Sequence, residues 1–183
     1  MMDLKNHFLI AMPNQSGSYF GNTITYLCEH SEEGAMGLMI NRPMTLSVSD
    51  LMEQTGFTGS STLAEAPVLE GGPVSPEQGF VMHSDDGGFN ASKDIGHGLR
   101  LTTSREVLAA IANDRGPYHY LIALGYAGWG PQQLERELAD SAWLTCPANN
   151  EILFDVPFED RIDATARLLG FDFRLMSGQM GDA

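Results

Sequence analysis

Basic side chains and cysteines are both scarce in this chain of 183 residues. Ten Lys and Arg residues stand against 24 Asp and Glu residues, which gives a formal net charge of -14 at pH 7. That sign is wrong for a protein that must neutralise the phosphates of DNA or of an anionic membrane surface. The two cysteines, Cys28 and Cys146, lie far apart in the sequence and form no C-x-x-C pair. This excludes a disulfide-rich secreted framework and favours a reduced cytoplasm.

Long apolar runs are missing as well. No stretch approaches the roughly 20 apolar residues that a helix needs to cross a bilayer. The beginning of the sequence shows neither the basic residues nor the small-residue cleavage site of a secretory signal. We therefore expect a cytoplasmic protein without membrane contact. Hydrophobic residues make up 43% of the chain and charged residues 19%, which is typical of a globular domain.

Short apolar segments separated by turn residues dominate the sequence and predict strands. The four-residue link Ser31-Glu32-Glu33-Gly34 joins two of these segments and predicts an antiparallel hairpin. The predicted strands cover residues 8–12, 23–30, 35–41, 67–69, 78–83, 99–102, 120–126, 143–146 and 152–154.

Helix signals occur at four places. The spacing of Ser47 and Asp50 resembles a capping box and predicts a short helix that ends at Gly56. Ser104 is predicted to cap a second helix. A third begins at Gly130 and Pro131, and the fourth lies between residues 157 and 170. Residues 58–66 are predicted to form a surface loop, and residues 85–98 a long loop or distorted hairpin.

The strands come in clusters and do not alternate strictly with helices, which predicts an α+β fold with a mostly antiparallel or mixed sheet. A doubly wound parallel sheet is the weaker alternative. The absence of a linker or an internal repeat favours one domain over residues 1–176. Residues 171–176 are expected to close the fold, and residues 177–183 to form a loose tail after it.

Six short motifs carry a family resemblance over about residues 7–155. They are His7-Phe8-Leu9-Ile10-Ala11-Met12-Pro13, Cys28-Glu29-His30, Gly34-Ala35-Met36-Gly37-Leu38-Met39-Ile40-Asn41-Arg42-Pro43, Gly71-Gly72-Pro73-Val74, Gly79-Phe80-Val81-Met82-His83 and Gly125-Tyr126-Ala127-Gly128-Trp129. In content and order they closely resemble the YqgE/AlgH family of small bacterial proteins. The resemblance implies a single cytosolic α+β domain whose bifurcated sheet closes into a pseudo-barrel with flanking helices. It implies no particular activity, although the family is labelled as a transcriptional regulator.

Arg42 is the most informative single residue. Only Lys5 and Arg42 are basic before residue 90, where eleven acidic residues occur. Beside Pro43 its guanidinium could present a planar fork to a carboxylate or a phosphate. In the alternative interpretation Arg42 ties its own turn by pairing with Glu29, Glu70 or a buried carbonyl.

Two glycine-rich segments are further candidates. Residues 125–130 precede a predicted helix start, where backbone N–H groups could face an anion. Alternatively, glycine is needed there only because the backbone turns sharply while Tyr126 and Trp129 enter the core. Gly71 and Gly72 could allow a ligand to approach the backbone, but an ordinary tight turn is the preferred interpretation.

None of the five histidines has the spacing of a zinc-binding pair, so we expect no metal and no cofactor. His30 and His83 fall at predicted strand ends. Each could serve as a general base if the protein is an enzyme, whereas a hydrogen-bonded structural histidine is the plainer alternative. No nucleophile motif accompanies them.

The leading hypothesis is a non-enzymatic binding or regulatory module with a pocket for a small anionic ligand or a protein partner. Its candidate residues are Asn41, Arg42, Gly71, Gly72, His83, Tyr126, Gly128 and Trp129. The alternatives are a hydrolase or transferase with a histidine base, and a direct DNA-binding regulator, which the net charge of -14 disfavours. An indirect regulator that acts through a protein partner is physically easier. Self-association through hydrophobic sheet edges also remains open.

Overall fold

A computed structural model describes residues 3–12, 19–56 and 66–170. The chain divides into two compact units, here called unit 1 (Met1–Asn41 and Gly128–Ala183) and unit 2 (Arg42–Ala127). Each unit buries apolar side chains of its own.

Ten strands and five α-helices lie within the described ranges. The strands are β1 (His7–Ala11), β2 (Ile24–Ser31), β3 (Gly34–Met39), β4 (Pro43–Ser47), β5 (Pro67–Glu70), β6 (Val74–Ser84), β7 (Ser92–Gly96), β8 (Leu99–Thr102), β9 (Tyr120–Trp129) and β10 (Trp143–Pro147). The helices are α1 (Val48–Gln54), α2 (Arg105–Ala112), α3 (Gln133–Ala139), α4 (Asn150–Phe154) and α5 (Arg161–Leu168), and a short 3-10 helix covers Phe158–Asp160.

Unit 1 contains the strand order β10-β1-β2-β3, in which every neighbouring pair is antiparallel. The predicted hairpin is confirmed, because Ser31 pairs with Gly34 across the β2–β3 turn. Consecutive positions of β1 (8–11) and β2 (24–28) are buried, and all but Thr25 are apolar. Phe8 and Tyr26 meet edge to face there, with ring centroids 6.2 Å apart.

The helices of unit 1 differ from the sequence prediction at two places. The helix α3 begins at Gln133 and not at the predicted Gly130 and Pro131, and residues 152–154, predicted as strand, belong to α4. Asn149 precedes this helix and its side-chain oxygen accepts a hydrogen bond from the Ile152 backbone N–H at 3.2 Å. An apolar triplet fits a buried strand or one turn of helix equally well, and here the cap decides the outcome. Farther along, α5 packs Ala166 against Ile10 of β1.

Unit 2 contains the antiparallel order β7-β8-β6-β9, and β5 pairs with β9 in parallel. The strand β4, which the sequence analysis did not predict, pairs with β5. The sheet is therefore mixed but mostly antiparallel, and the predicted α+β class is confirmed. Closure into a pseudo-barrel and a single domain over residues 1–176 stay predictions.

The helices of unit 2 cover one apolar core that includes Val68, Val81, Val107 and Ile111. The capping box of α1 is confirmed: the Asp50 N–H donates to the Ser47 hydroxyl at 3.1 Å, and the Ser47 N–H donates to the Asp50 carboxylate at 3.0 Å. The predicted cap of α2 is wrong in its chemistry. Ser104 stands at the cap position, but its side chain makes no capping hydrogen bond.

Three loop predictions have different outcomes. The connection expected between the strand predicted to end at 126 and the helix predicted to begin at Gly130 is wrong, because β9 continues to Trp129 and α3 begins only at Gln133. Residues 85–98 contain β7, paired with β8 across an irregular register, so the distorted-hairpin alternative is correct. The predicted loop at 58–66 and the predicted closing segment and tail at 171–183 lie almost entirely outside the described residues.

No helix within the described ranges is long and apolar enough to cross a membrane.

Candidate functional site

A groove of about 890 Å³ opens on unit 1 beside α3. Its walls come from the beginning of the chain, the β2–β3 turn and one face of the helix. The residues that matter for its chemistry are Leu4, His30, Glu32, Glu135, Arg136 and Ala139. Volumes of about 300–1,000 Å³ are typical of sites that bury a small molecule or a peptide side chain.

His30 forms the buried inner wall of this groove. Its side chain is 1% exposed, and its Nε2 lies 2.5 Å from the Glu135 carboxylate, which is 35% exposed. The Leu4 backbone N–H donates to Nδ1 at 2.9 Å. Because Nδ1 accepts this bond, the ring proton is on Nε2 and is donated to Glu135. That hydrogen bond lowers the pKa of the Glu135 carboxyl below its ordinary value. With both nitrogens engaged, His30 links the chain start to α3 and offers no lone pair to a substrate.

Glu137 organises the aromatic cluster of unit 1. One oxygen of its carboxylate, Oε1, accepts hydrogen bonds from the indole N–H groups of both Trp129 and Trp143, each at 3.1 Å. Gln133 donates to the other oxygen at 3.1 Å. Phe20 packs against both indoles. Trp129, a candidate from the sequence, is therefore a buried core residue held by a neighbouring helix, and Gly128 beside it is exposed.

Asn41 acts as a clamp on the backbone of unit 1. Its side-chain oxygen accepts from the Ile24 N–H at 3.0 Å, and its amide donates to the Asn22 carbonyl at 3.0 Å. Both amide functions are thus used at the entrance to β2. The same segment is held by Arg161, whose Nη1 donates to the Ile40 carbonyl at 2.6 Å.

Arg161 is a buried cation that the sequence analysis did not single out. It is only 3% exposed, donates through Nε to the Val156 carbonyl at 2.9 Å and lies 4.5 Å from the centre of the Phe158 ring. Burial lowers the pKa of its guanidinium to about 10. No pattern in the sequence separates this arginine from an exposed one on α5, because its partners are backbone carbonyls.

The backbone of unit 2 brings Arg42, Gly71, Gly72 and Tyr126 into one neighbourhood. The Glu70 N–H donates to the Arg42 carbonyl and the Gly71 N–H to the Leu124 carbonyl, both at 2.8 Å. A Cβ atom on Gly72 would lie 2.1 Å from the carbonyl carbon of Tyr126. The glycine is therefore required for the close approach of two backbone segments, whereas the preferred interpretation of the sequence was an ordinary tight turn.

His83 does not join this neighbourhood. It pairs with Tyr120 on β9, six residues before Tyr126, which corresponds to about 20 Å along a strand. The ring is fully buried: Nδ1 is 2.8 Å from the Ser84 carbonyl and Nε2 is 2.6 Å from the Thr102 hydroxyl. Since a carbonyl only accepts, Nδ1 carries the proton, and the Thr102 hydroxyl that faces Nε2 also hydrogen-bonds to the Ser92 hydroxyl at 3.0 Å. This is the geometry of a structural histidine.

A second cavity, of about 220 Å³, lies in unit 2 at the beginning of α2. Polar groups from three elements line it, among them Thr55, Glu77, Thr102, Thr103, Ser104 and Arg105, over an apolar floor. The Ser104 hydroxyl oxygen is buried and has no hydrogen-bond partner among the described residues. A buried hydroxyl without a partner costs about 1–3 kcal/mol and requires an explanation.

Sequence reasoning missed the groove and this cavity because both depend on contacts distant in the chain. His30 and Glu135 are separated by 105 positions. From the sequence alone, Ser104 is recognisable only as a candidate helix cap and not as a cavity residue. Within the described ranges, no cluster of three or more His, Cys, Asp or Glu side chains could hold a metal ion.

Solved structures show the class of protein to which this fold belongs. A TM-score of 0.82 relates the chain to the solution structure of the AlgH protein from Pseudomonas aeruginosa, which is 46% identical, with 96% of this chain and 94% of that chain covered. A crystal structure of a protein from Corynebacterium diphtheriae, 18% identical, has the same fold with a TM-score of 0.72 over 91% of this chain and 88% of that one.

The chain belongs to the AlgH-like family, whose model matches residues 8–174. A UPF0301 protein of Shewanella sp. (strain W3-18-1) is 50% identical over the whole of both chains. Another, from Saccharophagus degradans, is 46% identical over all of this chain and 90% of that relative. The family predicted from the sequence motifs is confirmed. The descriptions of these relatives name no reaction, ligand or partner.

Proposed function

We propose that this protein is a binding module whose unit 2 holds a small anionic metabolite at the beginning of α2. The single observation that carries the proposal is the Ser104 side chain: the residue lines the cavity, and its buried hydroxyl has no partner among the described residues. When the hydroxyl turns toward the cavity, a ligand oxygen that accepts a hydrogen bond from it would remove the cost of its burial.

The surrounding chemistry supports an anion. The first N–H groups of a helix carry partial positive charge, and the side chain of the N-cap residue Ser104 does not cap those of α2. Arg105 adds a guanidinium at the same place, and the exposed Thr103 adds a hydroxyl. The sequence analysis considered Arg42 as the residue that binds an anion. We propose Arg105, another arginine of unit 2, in its place.

The size and the remaining charge of the cavity restrict the ligand further. At about 220 Å³ the cavity is smaller than the sites of drug-sized molecules. The Glu77 carboxylate at the exposed rim repels an anion unless the ligand also carries a donor. A short carboxylate or phosphate with a hydroxyl or amino group satisfies both constraints. With a net charge of -14, the module would act in the cytoplasm through this ligand or a protein partner and not by direct DNA contact.

Thermal-shift measurements on the full chain test the proposal, with inorganic phosphate, short hydroxy acids, amino acids and nucleoside monophosphates as probes. A ligand at 100 times its dissociation constant should stabilise the protein by about 2.7 kcal/mol. The shift should disappear in Ser104→Ala and Arg105→Gln. It should persist in Arg115→Gln, which removes an exposed arginine after α2 that does not line the cavity.

The unliganded variants provide an independent readout. Ser104→Ala should leave the stability unchanged or raise it, because the buried hydroxyl makes no bond to lose. By contrast, Ser47→Ala removes a formed cap and should cost about 1 kcal/mol. A loss in Ser104→Ala as large as in Ser47→Ala would mean that Ser104 caps α2 in solution. That result, or the absence of any ligand shift in the unmodified protein, would contradict the proposal.

A further inference from the structure

We infer that the groove beside α3 on unit 1 is a docking site for a basic, amphipathic segment of another protein. This surface is formed by residues other than those of the proposed metabolite cavity, and the inference does not depend on that cavity. Charge, the shape of the walls and the rigidity of the inner wall each contribute to the argument.

Charge complementarity defines the kind of partner. Unit 1 carries fourteen acidic residues and five basic residues in its sequence. Two of the acidic residues, Glu32 and Glu135, line the groove from the β2–β3 turn and from α3. Opposite charge attracts a basic partner on approach and disfavours an acidic one. An acidic peptide or a nucleic acid is therefore excluded as the preferred occupant.

The apolar part of the groove requires a partner that is not uniformly charged. Leu138 and Ala139 on α3 also line it, together with the buried Leu4. Aliphatic side chains of a partner segment can bury against the two α3 residues while its Lys or Arg residues reach Glu32 and Glu135. Arg136 lies on the same face of α3 and is exposed, so an acidic residue in the partner at that position would fix the register.

The inner wall is held in place before a partner arrives. His30 is bonded on one side to the Leu4 backbone and on the other to Glu135. The carboxylate is thus oriented by a buried neighbour although it is 35% exposed. A site that is ordered in advance loses less conformational entropy on binding.

Selection from a random peptide library on the immobilised full chain tests the inference. We expect the selected peptides to be enriched in Lys or Arg together with aliphatic residues. Their affinity should fall at least tenfold in Glu32→Lys, which reverses a charge in the groove. The matched control is Glu33→Lys, which makes the same change at the exposed neighbouring position outside the groove and should weaken binding far less.

A second variant separates the groove from the general acidity of the chain. Ala139→Trp places a bulky side chain at an exposed position on α3 and should abolish binding, while the unfolding transition shows that the variant remains folded. Equal effects of Glu32→Lys and Glu33→Lys would overturn the inference, because binding would then follow net charge alone. Enrichment of acidic peptides, absence of any enrichment, or full binding to Ala139→Trp would overturn it as well.

Discussion

At the scale of single residues, one carboxylate of unit 1 holds several groups at once. It belongs to Glu137, whose Oε1 atom accepts from two indoles whose parent residues are 6% and 4% exposed. Acceptors shared in this way couple the stability of a helix to the packing of an aromatic cluster.

Replacing Glu137 should destabilise the protein and change its fluorescence. In Glu137→Ala both buried indole N–H groups lose their acceptor, which costs about 1–3 kcal/mol for each. Trp129 and Trp143 are the two tryptophans of the chain, so the emission maximum reports directly on this site and should move. Urea unfolding followed by tryptophan emission measures both effects.

Glu137→Gln is the matched control for this prediction. Its amide keeps one oxygen that can accept from the indoles but loses the acceptor for Gln133. It should therefore lie between the unmodified protein and Glu137→Ala. If the alanine variant were as stable as the unmodified protein, the shared acceptor would contribute nothing.

Glu135 should make stability depend on pH in the acidic range. The hydrogen bond from His30 lowers the pKa of Glu135 in the folded state below its ordinary value of 4.5. The unfolded state therefore takes up a proton first as the pH falls. The resulting stabilisation is complete above the ordinary value and is lost as the pH falls through the folded-state pKa. Because the side chain is partly exposed, the effect is modest.

The variant Glu135→Gln isolates this contribution. Its amide oxygen still accepts from His30, but the side chain no longer titrates. Urea midpoints measured from neutral to acidic pH should decline less steeply in the variant. Parallel decline in both proteins would exclude Glu135 as a source of the acid dependence.

The candidate site could be predicted from the sequence only in part. Only glycine permits the close backbone approach at Gly72, but the sequence alone favoured an ordinary tight turn there. Arg42 was chosen as a candidate because it is isolated among acidic residues in the sequence. The sequence did not single out Arg161, which is deeply buried. Pairings such as His30 with Glu135 need the folded chain, since no local pattern connects residues so far apart.

At the scale of elements, the short strands were predictable because they are short apolar runs separated by turn residues. Two errors have physical causes. The β4 strand begins with Pro43 and is exposed at its first three positions, and its two apolar residues, Met44 and Leu46, are too few to predict a strand. The end of β9 was placed at Tyr126 because glycines usually mark turns, while Gly128 here stays within the strand. Gly125, also within β9, has a positive φ of 77°.

Gly125→Ala should therefore be strongly destabilising. A Cβ atom there would lie 2.4 Å from the Gly72 carbonyl oxygen, and the left-handed backbone adds about 1–2 kcal/mol for a residue with a side chain. Gly96→Ala is the control, since its φ is also positive, at 85°, but its Cβ would meet open space. Chemical unfolding should show a clearly larger loss at Gly125. Equal losses would mean that backbone strain alone matters.

At the scale of the whole molecule, negative charge is the dominant property. A net charge of -14 spread over 183 residues produces self-repulsion that opposes the folded state. Moderate salt screens charges separated by more than about 10 Å.

Sodium chloride should therefore raise the melting temperature at neutral pH between low ionic strength and about 0.15 M, where the screening length is about 8 Å. The rise should be smaller near the sequence pI of about 4.5, where the net charge vanishes. Calorimetry at both pH values provides the measurement. A melting temperature that is independent of salt at neutral pH would show that the charges are already compensated locally.

The division of the chain also has a consequence for its synthesis on the ribosome. Unit 2 is one continuous segment, Arg42–Ala127, whereas unit 1 consists of two segments on either side of it. The pairing of β1 with β10 joins Phe8 to Cys146. This pairing can form only after the ribosome has synthesised the chain as far as β10. Non-local pairing of this kind is slow to form. During translation the nascent chain therefore contains the apolar strands β1 to β3 before β10 is available to pair with β1. We expect chaperones to bind the nascent chain mainly during this interval.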